Sequence, residues 1–445
     1  MEHADDPVDS TGTSTEATLP VPDLIYVNAF QARPLPDLYQ MGEDLHLRVN
    51  SRTKQQLVYD LLVYFCRRGS RLEAEGCLEL ANESGHQGGV LRFAAANFRS
   101  QQDEIFVPSH LVRQYDLRRG NRLGVIARAP REREKGLIAE EILEIEGIPA
   151  ASFHQGPAFD RLTPLFPKDR LLLENQELGA ESCRVVDLIA PLGKGQRGLI
   201  CAPPRGGKTI LLKSIAQAIV ANHPETEVIV LLLDERPEEV TDFKETVNTA
   251  VYSSTFDESP ARHVELAEFV TERAKRLVEL GRDVVILLDS LTRLARGYNN
   301  LMGGGGRILS GGLDSKALQM PKKFFGAARN VEEGGSLTVL ATVLIETESR
   351  MDEVIFEEFK GTGNMELHLD REMAEQRIFP AIHFSKSGTR KDDLLYHPDE
   401  FRRITLLRRQ MAAMPAPEAI EVLLRNIRRT KTNTELLLGG LQLLG

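Results

Sequence analysis

The chain has 445 residues, of which 42% are hydrophobic and 27% charged, and its formal net charge is −10. This composition is typical of a globular protein, and the length is enough for two or three domains. No apolar run approaches the ~20 residues that cross a bilayer, and the N-terminus lacks the pattern of a secretion signal, so we predict a cytoplasmic protein with no membrane partner. The net negative charge does not exclude nucleic acid, because a local basic channel is enough to bind it.

The N-terminal part of the chain predicts three segments. Residues 1–34 are expected to form an acidic disordered tail, because the first residues carry many acids, no Lys or Arg and almost no large apolar group. Over 35–75 apolar side chains recur at helical spacing behind a possible N-cap at Ser51, which predicts a small helical unit. Over 76–150 short apolar stretches alternate with Gly, Asn, Ser and Pro, which predicts a five-stranded barrel of the oligonucleotide-binding (OB) type.

A proline-rich linker over 151–176 leads into a large domain over 177–445, in which Ala202–Thr209 has the pattern of a phosphate-binding loop. An apolar run precedes this loop and a helix-like run follows it, as the motif requires. Backbone N–H groups of such a loop surround phosphates, while Lys208 adds a positive charge and Thr209 a hydroxyl for magnesium. The pattern normally begins with glycine and begins here with alanine. The alternative, a glycine turn with an exposed lysine, fits this context less well.

Two further apolar runs, 228–233 and 284–288, each end next to acidic residues, and a third run spans 337–344. Continuous apolar strands that alternate with helices predict a mainly parallel sheet covered on both faces, with the ligand site at the carboxyl ends of the strands. Asp289 is then placed to hold magnesium, and Glu235 to activate the attacking water. The alternatives are a helix-capping role for Asp289 and a solvated charge cluster for Glu235.

Four stretches resemble signature segments of the Rho family of bacterial transcription termination factors, which are hexameric RNA-dependent helicases. They are Leu231–Thr241 (LLLDERPEEVT), Leu287–Arg296 (LLDSLTRLAR), Pro321–Ser336 and Phe359–Leu369 (FKGTGNMELHL). The resemblance extends from about Thr163 to the C-terminus and continues, more faintly, before that. It implies an α/β fold in which a RecA-like P-loop NTPase domain with C-terminal helices follows a small helical unit and an OB-type barrel.

The resemblance also implies roles for residues of the large domain. The implied ATP-binding residues are Arg205, Gly206, Gly207, Lys208, Thr209, Ile210 and Phe379, the last stacked on adenine. The implied magnesium ligands are Thr209 and Asp289, and the implied catalytic residues are Lys208, Glu235, Arg236, Arg377 and Arg390. Among these, Glu235 is the base, Arg236 senses the terminal phosphate, and Arg390 with Arg377 forms a finger that reaches into a neighbouring subunit. Composition alone leaves Arg390 a surface arginine.

RNA contacts are implied in the barrel and in two loops of the large domain. They are Arg92, Phe106, Arg307, Ile308, Leu309, Ser310, Gly311 and Arg350. The glycine run 303–306 before the first loop would by itself indicate an idle linker. With the matching flanks RNA contact is favoured, because backbone amides and one or two arginines can follow phosphates without reading bases.

The barrel departs from the family pattern where RNA bases normally stack on a pair of aromatic rings. The corresponding stretch is Gln87–Arg92 (QGGVLR), which has no aromatic residue. Phe106 remains, and Phe93 and Phe98 are each equally a substitute platform or a core residue. The segment 76–130 holds seven arginines against five acids, a net charge near +2. We therefore hypothesise weakened or altered base preference at this outer site.

The function expected from these features is transcription termination. A homohexameric ring would use ATP and Mg²⁺ to move 5′ to 3′ along nascent single-stranded RNA, unwind RNA–DNA and release the transcript from RNA polymerase, with elongation factors as further partners. One alternative is a ring ATPase of the rotary or secretion type with the same sheet architecture. Another is an RNA-binding regulator that keeps nucleotide only as a structural ligand.

Overall fold

The computed structural model describes residues 20–82, 85–101, 104–302 and 310–440. The chain forms two compact units. The first extends to residue 153 without 94–99 and 115–121, which belong to the second unit together with the residues from 154 onward. Across the described ranges, no helix has both the length and the apolar character needed to cross a membrane.

The first unit begins with a strand and three helices. They are β1 (Leu24–Tyr26), α1 (Val27–Gln31), α2 (Leu35–Asp44) and α3 (Lys54–Arg67). The disordered tail predicted over 1–34 is wrong for residues 24–31, because β1 pairs in parallel with the strand that begins at Arg71, and Val27 and Phe30 are buried. Residues 1–19 of that tail lie outside the described residues. The N-cap of α3 is Thr53 in a capping box with Gln56, not Ser51.

Five strands of the first unit close into a barrel. They are β2 (Arg71–Leu80), β3 (Gly89–Arg92), β4 (Ile105–Val107), β5 (Arg122–Arg128) and β6 (Leu137–Ile145), with α4 (Ser109–Gln114) after β4 and β7 (Ile148–Pro149) paired to β6. The order is β2-β3-β4-β6-β5, and β5 pairs back onto β2. Closure removes the free sheet edges and confirms the predicted five-stranded OB-type barrel. Its first strand begins at Arg71, inside the range that we had assigned to the helical unit.

The second unit is built on a mainly parallel sheet. Its strands are β8 (Pro164–Leu165), β9 (Arg170–Leu171), β10 (Leu192–Gly193), β11 (Arg197–Ala202), β12 (Glu227–Glu235), β13 (Ala250–Thr255), β14 (Asp283–Asp289), β15 (Arg329–Val331), β16 (Ser336–Leu344), β17 (Met365–His368) and β18 (Gly388–Thr389). The order across the sheet is β13-β12-β14-β16-β11-β17-β18, and all neighbours in this path are parallel except β17 and β18.

Helices alternate with these strands. They are α5 (Glu181–Ile189), α6 (Lys208–Asn222), α7 (Pro237–Thr246), α8 (Pro260–Glu279), α9 (Leu291–Leu301), α10 (Gln319–Gly326), α11 (Arg350–Lys360), α12 (Arg371–Glu375), α13 (Pro398–Met411), α14 (Ala416–Arg428) and α15 (Asn433–Gly439). The runs in β12, β14 and β16 are buried almost throughout, as expected for a parallel sheet with two covered faces. The predicted α/β fold is confirmed.

Two segments that we had expected elsewhere belong to the second unit. The linker predicted over 151–176 contains β8 and β9, which pair with β15 and β10. In the segment 94–99, the ring of Phe98 packs against Tyr252 and Phe269 with centroid distances of 4.6 Å. Phe98 is therefore a core residue and not a platform for RNA bases.

Candidate active site

The phosphate-binding loop joins the end of β11 to the start of α6. Gly207 has φ +88°, a left-handed conformation that glycine adopts without strain, and Lys208 is the first helical residue. A Cβ on Gly206 would lie 3.1 Å from the Pro203 ring, so the turn is tight. Ala202, where the usual pattern has glycine, ends β11 and is fully buried. The missing first glycine leaves the strand–loop–helix arrangement intact.

Lys208 lies beside the two acids that end the neighbouring strands β12 and β14. Its Nζ is 2.5 Å from Asp289 Oδ2 and 3.5 Å from Glu235 Oε2. Burial lowers the pKa of Lys208, but the charges of Asp289 and Glu235 outweigh burial and hold that pKa above its ordinary value. The structure thus brings together the three residues that the sequence placed at the carboxyl ends of β11, β12 and β14.

Asp289, and Asp234 next to Glu235, are each held by a residue that the sequence analysis missed. Thr342 Oγ1 donates a hydrogen bond of 2.8 Å to Asp289 Oδ1, and the Asp289 side chain is 3% exposed. Asp234 has φ +54° in an irregularity of β12, and its Oδ2 is 2.8 Å from Arg293 Nη1. The sequence signals that could have indicated these contacts are a threonine inside the apolar run of β16 and an arginine four residues after Asp289.

The other predicted nucleotide-binding residues lie in or beside this loop and differ in their exposure. Two carbons of the Phe379 ring would lie 3.5 and 3.6 Å from a Cβ on Gly207, and Phe379 is 40% exposed. An exposed ring beside the loop fits the predicted stacking on adenine. Ile210, in the first turn of α6, is 71% exposed. Thr209 is half-buried, and Arg205 is exposed.

The arginines predicted to act on the terminal phosphate lie at different places. Arg236 is exposed and directly follows Glu235 as the N-cap of α7. Arg377 is exposed and lies two residues before Phe379, whose ring is beside the phosphate-binding loop. Arg377 therefore lies at the same edge of the sheet as that loop. Arg390 follows β18, which is antiparallel to β17, and its N–H donates to Asn364 O at 2.8 Å. Arg390 therefore lies at the opposite edge.

The length of β11 separates these two edges. Its six residues rise about 17 Å at 3.3 Å per residue, and Arg390 lies level with the start of that strand while Lys208 lies beyond its end. Arg390 is thus remote from Lys208 of its own chain. The prediction that Arg377 and Arg390 act together as one finger does not fit, because the two residues lie at opposite edges.

The two predicted RNA loops of the second unit meet where α11 begins. A Cβ on Gly311 would lie 2.7 Å from Met351 N, so the backbone at Gly311 is packed against the first turn of α11. Arg350 is exposed at the first position of that helix. Ser310 begins the short 3-10 turn that contains Gly311. Arg307, Ile308 and Leu309 lie outside the described residues.

The barrel presents a smaller RNA surface than we expected. Val90 and Phe106 are half-exposed and lie opposite each other on β3 and β4. Phe93 is buried, so it is a core residue. Arg92, which we predicted to contact RNA, forms an ion pair with Glu104, and its side chain is only 13% exposed. Phe106 is the predicted contact that stays accessible.

Comparison with known proteins identifies the family. The model of the Rho termination factor RNA-binding domain matches residues 74–150, and that of the ATP synthase alpha/beta family nucleotide-binding domain matches 182–389. Transcription termination factor Rho of Akkermansia muciniphila is 55% identical over 428 residues, which cover 96% of this chain and 90% of that protein. The chain belongs to the Rho family of transcription termination factors. The Rho of Pseudomonas fluorescens biotype C is 48% identical over 409 residues, covering 91% of this chain and 97% of that protein.

Solved structures are similar in fold. An ATPase of a bacterial type III secretion system has a TM-score of 0.51 at 24% identity, over 58% of this chain and 73% of that chain. The assembled ATPase EscN of enteropathogenic E. coli has a TM-score of 0.50 at 21% identity, over 69% of this chain and 70% of that chain. At this identity the likeness shows the ATPase fold alone. Together with the Rho family match, it confirms the predicted RecA-like P-loop domain, which follows an RNA-binding barrel in the chain.

Proposed function

We propose that this protein terminates transcription as an RNA-dependent ATPase and helicase that moves 5′ to 3′ along nascent RNA. The observation that carries the proposal is the Lys208–Glu235–Asp289 cluster at the phosphate loop, in a chain that also contains the Rho RNA-binding barrel. Such a chain can couple hydrolysis to movement of the strand that it binds. A protein acting on nascent transcripts works in the cytoplasm, beside RNA polymerase and elongation factors.

ATP binding would rearrange the charges around Lys208. Without phosphates its ammonium group lies against Asp289 and Glu235, and the triphosphate offers it a stronger anionic partner. Thr209 and Asp289 would hold Mg²⁺, which supplies charge neutralisation on the phosphate oxygens. Glu235, released from its lysine, can accept a hydrogen bond from the attacking water and take up its proton.

The site also requires a second copy of the chain. Arg390 lies at the sheet edge away from its own phosphate loop, so it can stabilise the transition-state charge only in a neighbouring subunit. A head-to-tail contact of this kind closes into a ring when the rotation permits, and a homohexamer is the expected assembly. Arg236, next to Glu235, would sense the terminal phosphate in its own subunit.

RNA would be held at two places. Phe106 and Val90 on the barrel form the outer contact, and the Gly311 turn with Arg350 at the start of α11 forms the inner contact. Because the outer face keeps one aromatic ring and its arginine is paired with Glu104, we propose that it discriminates weakly among bases. Translocation would then depend mainly on the inner loops.

The experiment is ATP hydrolysis by the full chain with a panel of homopolymeric RNAs. RNA should stimulate turnover, and Glu235→Gln should keep nucleotide binding while lowering turnover by about 10²- to 10⁴-fold. Glu238→Gln, an exposed glutamate three residues away, is the matched control and should leave turnover unchanged. Turnover that is indifferent to every RNA would favour the secretion or rotary type of ring ATPase. If the parent protein binds RNA but does not hydrolyse ATP, a non-catalytic regulator is favoured.

A further inference from the structure

A cationic cavity of about 280 Å³ lies beside Arg390 in the second unit. Arg197, Arg390 and Lys391 line this cavity together with Phe166 and the turn 361–363, and its lining contains no acidic residue. We call it the Arg390 cavity. Arg197, Lys391 and Phe166 have no part in the proposed nucleotide, catalytic or RNA contacts.

The charged side chains that line the Arg390 cavity are all positive. Arg197 donates to the carbonyl oxygens of Thr362 and Ala328, at 3.1 and 3.0 Å. Burial, with Arg329 and Arg390 nearby, lowers the pKa of Arg197. The described residues that line the cavity beside Arg197, Arg390 and Lys391 include no carboxylate. Clustered like charges cost free energy that an anionic partner would recover.

Two other groups of the Arg390 cavity leave part of their surface or hydrogen-bonding capacity unused. Phe166 is 57% exposed, and the ammonium of Lys391 lies 3.5 Å from its ring centroid. Gln196 is 1% exposed, and its Oε1 accepts no hydrogen bond. The cavity therefore offers two things to a ligand, positive charge for an anion and an exposed aromatic ring for an apolar group.

The opposite edge of the sheet carries a segment with complementary chemistry. In the turn after β13, Phe256 is 62% exposed and Asp257 is exposed. The N–H of Phe256 donates to Glu235 O at 3.2 Å, so this turn is attached to the catalytic strand end. If Arg390 reaches the ATP site of a neighbouring subunit, the residues around Arg390 lie against the residues around that neighbour's Glu235. The Arg390 cavity then faces the neighbour's turn.

We propose that the Arg390 cavity receives the Phe256–Asp257 turn of a second copy of this chain. The Asp257 carboxylate enters among Arg197 and Lys391, and the Phe256 ring packs against Phe166. Docking would seat Arg390 against the neighbour's ATP, so that assembly and completion of the catalytic site are one event. The proposal depends on the proposed function only in requiring that Arg390 acts on a neighbouring subunit.

The test is charge reversal at both sides of the contact in the full chain. Lys391→Glu and Asp257→Lys should each raise the protein concentration needed for half-maximal assembly at least tenfold, as measured by mass photometry with ATP and RNA. The two changes together should restore assembly, because the ion pair is re-formed with opposite sign. Lys244→Glu, an exposed lysine on α7, is the control and should assemble like the parent. Thermal unfolding of each variant reports whether the subunit itself is folded.

A second measurement gives proximity directly. Lys391→Cys and Asp257→Cys in one chain should form an intersubunit disulfide under mild oxidation, above the background of the four natural free cysteines. The docking is overturned if the single charge-reversal variants assemble like the parent. It is also overturned if the two charge reversals together do not restore assembly. If the parent is RNA-stimulated while these variants are unaffected, only the docking fails. If the parent shows no RNA-stimulated turnover, the proposed function fails instead.

Discussion

The position of Arg390 predicts that two inactive variants restore each other. Arg390→Ala removes the finger and should lower RNA-stimulated turnover by about 10³-fold or more. Glu235→Gln removes the base and should lower it by about 10²- to 10⁴-fold. The sites of these changes lie at opposite edges of one sheet, separated by about the 17 Å length of β11. One subunit therefore supplies Glu235 to one interface and Arg390 to another.

The magnitude follows from random mixing. When the two variants exchange subunits in equal amounts, about one interface in four combines an intact Glu235 with an intact Arg390. The mixture should recover up to about a quarter of the parental rate, far above the residual rate of either variant. The assay is steady-state ATP hydrolysis with saturating RNA, after exchange has been verified with fluorescently labelled subunits.

The matched control is Arg390→Ala mixed with the variant that carries both changes. No interface of that mixture has both groups, so turnover should stay at the residual level. If the first mixture also stays at that level although subunits exchange, Arg390 does not act between subunits. The same conclusion follows if Arg390→Ala alone hydrolyses ATP at the parental rate.

Three further predictions use other parts of the structure. Val90→Phe places a second ring opposite Phe106 and should strengthen oligo(C) binding by about 1 to 3 kcal/mol per stacked base in fluorescence anisotropy; an unchanged affinity would remove this face from RNA binding. Thr342→Val removes the hydrogen bond to Asp289 and should raise the Mg²⁺ concentration for half-maximal turnover severalfold, whereas Thr342→Ser should not. Burial raises the pKa of Asp187 to about 6, above its unfolded value, so its contribution to stability is complete only below the unfolded pKa of ~3.9 and is lost as the pH rises through about 6. The unfolding free energy of the parent relative to that of Asp187→Asn should therefore fall by about 2 kcal/mol from pH 4 to 6 in denaturant titrations; a difference that is flat or grows would contradict this.

Short-range patterns predicted much of the catalytic unit. The phosphate loop, the acid-ended strands and the alternation of strands with helices depend on neighbouring residues, because backbone geometry and the two faces of a strand are local properties. Lys208, Glu235 and Asp289 could be placed together because carboxyl ends of parallel strands share one edge. The closed barrel followed in the same way from short strands separated by turn residues.

The sequence by itself thus determined which chemical groups the protein has and which edge of the sheet holds most of them. Only the tertiary structure decided what those groups contact. Arg92 is neutralised by Glu104, and Arg390 is placed at the far edge by the antiparallel direction of β18. Within the described residues the first strand begins at Leu24, and it pairs with residues 47 positions later in the chain. Such contacts join residues that are distant in sequence, so no local pattern reports them.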